Sequence, residues 1–227
     1  MRLTLRTELP QWLLIAAMSL AGAIAWPFAP EKIPAHWNAY GQIDRYGGKF
    51  EGLLMLPLIA LGLYLLFIVI PKLDPGRANY ERFRIPYAII RIAILALLAA
   101  LQTVILLVAF GFHVEMNLVV MPLMGVMLIV LGGVMGKIRP NWFVGVRTPW
   151  TLSSKLSWSR THRLGGWLFI LVGLLAIGLA FVPQPWGLFI WMASIMVATL
   201  GLVVYSYLVW RQDPDRVPPA GTAPSEE

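Results

Sequence analysis

Six runs of about twenty apolar residues constrain this chain more than any other feature. They lie near 10–28, 52–71, 86–112, 118–136, 165–182 and 187–210. A helix needs about 20 such residues to cross roughly 30 Å of hydrocarbon. No water is available there to bond a free peptide group, so each run must satisfy its backbone internally. The expected fold class is therefore all-α: a polytopic integral membrane helix bundle with six transmembrane helices. The rest of the composition agrees, with 59% hydrophobic and only 13% charged residues, against about 25% charged in a soluble domain. The third run is the longest and is expected to tilt or to project from the bilayer.

The cations orient the bundle. Arg2 and Arg6, Lys72 to Arg84, Lys137 to Arg163, and Arg211 with Arg216 place 14 Lys and Arg on one side, and Lys32, Arg45 and Lys49 place 3 on the other. Lys and Arg accumulate in cytoplasmic loops, so both termini are expected in the cytoplasm and the first loop outside. The start of the chain has the basic residues and small Ala21-Gly22-Ala23 of a secretion signal. The apolar run continues through Trp26 and Phe28, however, so an uncleaved first helix is expected. The net charge of +7 is accounted for by membrane topology rather than by nucleic acid. Arg91 falls inside the third run, near enough to its start to snorkel to the interface as an anchor. The alternative is an internal charge serving a polar cavity. No Asp or Glu lies deep in any span, which argues against a proton-coupled pump with an acidic relay.

Three regions follow. The amino-terminal membrane half, 1–112, contains an outer loop, 29–51. The second half, 113–210, contains a basic cytoplasmic loop, 137–164. A Pro-rich polar tail, 211–227, is expected to be disordered. Gly132 and Gly136 form a small-xxx-small pair permitting close helix approach. In the outer loop, "IPAHWNAYGQIDRYGGKF", the rings of His36, Trp37, Tyr40 and Tyr46 suit a membrane interface. In the inner loop, "GVRTPWTLSSKLSWSRTH", Pro149 disfavours helix at Thr148, and Thr151 or Ser153 is placed to cap a helix running from about Ser154 into the fifth span. At 100° per residue Trp158, Thr161, His162 and Gly165 share one face, with Lys155, Ser159, Arg160 and Arg163 opposite. Arg147 is either a positive-inside anchor or a planar hydrogen-bonding fork. The fork reading joins it to Asn141, Trp158 and His162.

The two loops together resemble the SdpI family, membrane proteins named for immunity to a secreted sporulation-delaying peptide toxin. In the carboxy-terminal half the resemblance rests on Asn141, Gly145, Arg147, Thr148, Pro149, Trp150, Thr151, Trp158, Thr161, His162 and Gly166. In the amino-terminal half Pro34, His36, Asn38, Gly41 and Asp44, with Pro57, resemble the associated domain of unknown function. The resemblance implies a multi-pass protein of the bacterial cytoplasmic membrane. It also implies immunity to, or sensing of, a secreted peptide toxin, with signalling to a small repressor protein at the cytoplasmic face and no direct nucleic-acid contact. On this reading the outer loop is a recognition surface of Pro34, His36, Trp37, Asn38, Tyr40, Gly41 and Asp44, with Trp37, Tyr40 and Asp44 central.

Two other functions fit less of the sequence. A transporter or flippase for a small or amphipathic solute is compatible with six spans and Arg91, but no broken-helix repeat supports it. A metal-dependent enzyme would use His36, Asp44, His113 and Glu115, whose spacing matches no strong metal motif. No nucleophile elbow, P-loop or dinucleotide fingerprint is present, so no catalytic residue, metal ligand or cofactor is assigned.

Overall fold

The computed structural model describes residues 4–217. Six helices are long and apolar enough to cross a membrane: Leu5–Ala25, Phe50–Leu73, Arg77–Ala109, Met116–Met135, Lys155–Leu179 and Trp186–Arg211. Each overlaps one expected run. Regular α-helix occupies α1 (Leu5–Ala25), α2 (Met55–Leu73), α3 (Arg84–Ala109), α4 (Met116–Met135), a single turn α5 (Pro149–Leu152), α6 (Lys155–Leu179) and α7 (Trp186–Arg211). A π-helical segment, Phe50–Leu54, leads into α2, and a 3₁₀ segment, Arg77–Phe83, leads into α3. The bundle gains one element that the sequence did not announce. The first loop forms an antiparallel hairpin of β1 (Ile33–Trp37) and β2 (Ile43–Gly47).

The amino-terminal half packs α1, α2 and α3 on one another. The buried face of α1 carries Glu8, Gln11, Ile15, Met18, Gly22 and Ala25, alternating steps of three and four that keep one stripe inward. Glu8 stands in the first turn of α1, at the helix end rather than deep in the span. The helix begins before the apolar run does, at Leu5, so Glu8 lies within it. Arg91 corrects the snorkelling expectation. It is fully buried, and its two terminal nitrogens donate to the two Glu8 carboxylate oxygens at 3.1 and 2.8 Å. Tyr64 of α2 donates to the same carboxylate at 3.0 Å, and the guanidinium lies 5.3 Å from the Tyr64 ring centroid. Ion pair and hydrogen bonds compensate two charges that would be costly alone.

In the carboxy-terminal half α4, α6 and α7 pack together, with α4 against α6 the most extensive contact. Glycines permit it, although not the expected pair. A Cβ on Gly132 would lie 2.5 Å from the Gly166 carbonyl oxygen, and one on Gly125 would lie 2.5 Å from that of Gly173. Two glycines seven residues apart on each helix thus let antiparallel backbones touch. Gly136, expected to pair with Gly132, sits at the helix end with only Arg163 Cα at 3.8 Å.

The halves meet along α3 and α4 and through a clasp at the basic end. Asn79 donates to the Pro140 carbonyl at 2.8 Å. Asp74, 1% exposed, accepts from Gly76 N–H (2.6 Å), Tyr80 O–H (2.7 Å) and Trp142 N–H (3.0 Å). The tail expected to leave the fold at Arg211 stays attached for six more residues. Ser154 donates to Asp213, and Val217 N–H donates to the Ser153 carbonyl at 3.0 Å. The rest of that expectation, 218–227, lies outside the described residues.

Candidate functional site

The basic loop, 137–164, folds into a cradle over the start of α6. Asn141, 2% exposed, ties the loop to itself. Its oxygen accepts from Phe143 N–H (2.9 Å) and Val144 N–H (2.7 Å), and its nitrogen donates to the Arg139 and Val144 carbonyls (2.9 and 3.0 Å). All four bonding directions of the amide are used, which fixes the turn. Gly145 follows at φ +108°, and a Cβ there would overlap the His162 ring. The chain needs glycine twice at this point, for the left-handed backbone and for the approach to His162.

His162 holds the loop from α6. Its Nε2 accepts from Val146 N–H at 3.1 Å, and its Nδ1 donates to the Trp158 carbonyl at 2.8 Å. As bonded, the ring carries one proton, at Nδ1. Trp158 stacks on it with centroids 4.1 Å apart and donates Nε1–H to the Ile138 carbonyl at 2.9 Å. The shared helical face thus forms as the spacing requires. Trp158, Thr161, His162 and Gly165 are buried, and Lys155, Ser159, Arg160 and Arg163 are exposed. The Thr161 hydroxyl is buried without a hydrogen-bond partner.

The caps fall one step away from their expected positions. Thr148 caps α5, with Pro149 in its first turn: Thr151 N–H donates to the Thr148 hydroxyl at 3.1 Å, and Thr148 N–H donates to the Thr151 hydroxyl at 2.9 Å. Ser154, rather than Thr151 or Ser153, caps α6 by accepting from Ser157 N–H at 2.9 Å. Thr151 instead donates to the Val146 carbonyl at 2.9 Å. The Thr148 and Ser206 hydroxyls lie 2.9 Å apart, Ser157 donates to the Ser206 carbonyl at 2.8 Å, and Trp150 packs on Tyr207 at 5.2 Å. The loop is thereby fastened to α7. Ser206 and Ser157 lie 49 residues apart and Ser154 and Asp213 59, so no local spacing announces them. The "LDPG" turn signals a loop at Asp74, but not that its carboxylate reaches Trp142, 68 residues on.

Arg147 does not join this group. It is exposed, and its Nη1 donates to the Trp142 carbonyl at 2.6 Å. Backbone geometry explains the outcome. Gly145 turns the chain so that the Val146 N–H meets His162, which leaves Arg147 outside the cradle. The Trp142 backbone is held at two points, its N–H by Asp74 and its carbonyl oxygen by Arg147. Asn141, Gly145, Thr148, Pro149, Trp150, Thr151, Trp158 and His162 come together, and Gly166 sits one helical turn along in the α4 seam.

At the opposite end of the bundle the residues of the first loop build the hairpin. His36 and Asp44 bond across it at 2.6 Å. The Asn38 oxygen accepts from Tyr40 N–H (2.9 Å) and Gln42 N–H (3.1 Å), closing a turn in which Gly41 has φ +78°. Pro34 pairs with Tyr46, and Trp37 with Ile43. Tyr40, His36, Asp44 and Tyr46 are exposed. Beyond the hairpin, His113 bonds Glu115 at 2.9 Å. His36 and His113 thus each have their own carboxylate, and among the described residues no three His, Asp or Glu gather as metal ligands.

Comparison with known proteins finds relatives for both halves. Residues 137–206 match the model of the SdpI/YfhL protein family, and residues 13–61 match that of a domain of unknown function, DUF1648. The chain is 23% identical over 200 residues to "Immunity protein SdpI" of Bacillus subtilis (strain 168), covering 88% of this chain and 94% of that one. No solved structure matches. The resemblance carried by the two loops thus extends across most of the chain, and both the hairpin and the cradle lie wholly or partly within matched regions.

Proposed function

We propose that this multi-pass membrane protein acts as an immunity protein of the SdpI type, protecting the cell that makes it from a secreted peptide toxin. The observation that carries the reading is the similarity to an immunity protein over 88% of the chain. The cation bias supports placing the hairpin outside and the cradle in the cytoplasm of a bacterial cytoplasmic membrane. In that orientation the hairpin presents Tyr40, His36, Asp44 and Tyr46 to whatever approaches from outside. Its fold is set by the turn at Asn38 and Gly41 and by the His36–Asp44 bond, so the exposed groups are pre-arranged for recognition. The cradle supplies the inner face, where a small repressor protein docks if this chain also signals.

Separate alanine substitutions at Trp37, Tyr40 and Asp44 test the recognition role. Each is expected to lower survival under toxin challenge while leaving membrane abundance unchanged. A parallel fall in abundance and survival would mean that the hairpin only stabilises the fold.

A further inference from the structure

Two features stand along the seam where the two halves of the bundle meet, the second of them at the edge of the cradle. The first is an apolar groove of about 320 Å³ between α3 and α4. Ile89, Ala93 and Leu97 line one wall, and Val130, Val126 and Leu123 the other. The numbers rise on one helix as they fall on the other, the register of antiparallel neighbours. The small side chains of Ala93 and Ala96 open the groove towards lipid.

The second feature lies at the basic end of the same two helices. Arg82 lies in the 3₁₀ segment that leads into α3, and Lys137 follows the end of α4, so both stand beyond the Ile89 and Val130 end of the groove. Arg82 and Arg139 line a large groove of mixed polarity at this end. Arg82, Lys137 and Arg139 are exposed, and among the described residues none has a carboxylate within ion-pair distance, whereas Arg45, Lys49 and Arg91 each do. The carboxylates on this groove, Asp213 and Asp215, belong to the segment after α7, and Asp213 is engaged by Ser154. Glu81, next to Arg82 in sequence, is engaged in a contact of its own.

We propose that the α3/α4 seam binds one anionic phospholipid, with an acyl chain in the apolar groove and the phosphate held by Arg82, Lys137 and Arg139. The groove's lining is aliphatic throughout, which suits an acyl chain. The arginines offer planar forks suited to phosphate oxygens, and the lysine a point charge. Because α3 and α4 are the principal helix contact between the halves, a lipid seated there braces the joint.

Native mass spectrometry of the full chain in detergent, titrated with phosphatidylglycerol or phosphatidylcholine of identical chains, tests this. Three cations near one headgroup predict a preference for phosphatidylglycerol on the order of a hundredfold. The triple variant Arg82→Gln, Lys137→Gln, Arg139→Gln is expected to reduce retention to the phosphatidylcholine level. The pair Ala93→Leu, Ala96→Leu fills the groove without touching a charge and is expected to release the lipid too. It keeps the test open should the triple variant unfold. Excess inorganic phosphate is expected to leave the lipid bound. Equal retention of the two lipids by the unmodified protein would overturn the proposal. So would undiminished binding by the leucine pair, which would mean that the cations attract headgroups without seating a chain. Full displacement by phosphate would also overturn it, as the mark of a free-anion site.

Discussion

Replacing Gly145 with alanine probes the cradle at its tightest point. The substitution adds one methyl and carries two separable costs. Holding alanine at φ +108° costs about 1–2 kcal/mol, the penalty of a left-handed backbone for an L-residue. The new Cβ also overlaps the His162 ring, so the imidazole must move. Moving it breaks the 3.1 Å bond from Val146 N–H and disturbs the stack on Trp158. Leaving a donor unsatisfied costs about 1–3 kcal/mol. The total is about 2–5 kcal/mol, a large part of the stability of a typical protein. In a His162→Ala background the obstacle is already gone and only the backbone cost, about 1–2 kcal/mol, remains. A double-mutant cycle measured by reversible unfolding in mixed detergent and SDS micelles is therefore expected to give a coupling of about 1–3 kcal/mol. An equal cost for Gly145→Ala in both backgrounds would refute the contact between Gly145 and His162 as the reason for glycine.

Three further outcomes follow from the same contacts, each with its own measurement. Arg147→Lys is expected to match the unmodified protein within about 0.5 kcal/mol, and Arg147→Ala to lose about 1 kcal/mol for one exposed hydrogen bond. A lysine variant that unfolds as readily as the alanine variant would return Arg147 to the role of organiser. Arg91→Met strands the Glu8 carboxylate and is expected to destabilise by about 3–5 kcal/mol, with Glu8→Leu added to it restoring much of the loss; no recovery in the double variant would contradict the pair. Hydrogen bonding from Ser154 holds the Asp213 carboxyl below its usual range. The docking of the segment after α7 is therefore present above the unfolded carboxyl value, about 3.9, and is lost as pH falls through the lowered folded value. Proteolysis near Pro214 at graded pH reads this, and Asp213→Asn is expected to show the acid behaviour at neutral pH.

The sequence exposed what depends on spacing within one element and hid what depends on which elements meet. Six spans were legible because crossing a bilayer requires a long apolar run. Trp158 and His162, four apart, had to share a helical face, and Pro149 had to break helix at Thr148. The Glu8–Arg91 pair was not legible, because 83 residues separate its members and hydropathy alone began the first helix too late. Arg147 was drawn into the cradle by its company in the motif, whereas the turn at Gly145 sends it outward. The motif residues Pro34, His36, Asn38, Gly41 and Asp44 were visible as a group, but not as a hairpin, since strand pairing across so short a loop leaves little alternation to read. The α4–α6 seam used Gly125 and Gly173, which one helix cannot reveal without its partner.

The most direct test of the proposed role is the survival of a strain lacking this protein when exposed to peptides secreted by its own and neighbouring strains. The account predicts that the deletion strain is killed by at least one such fraction, and that re-expression of the full chain restores growth. Undiminished survival of the deletion strain against every secreted fraction, with the protein shown to be present in the parent membrane, would contradict it.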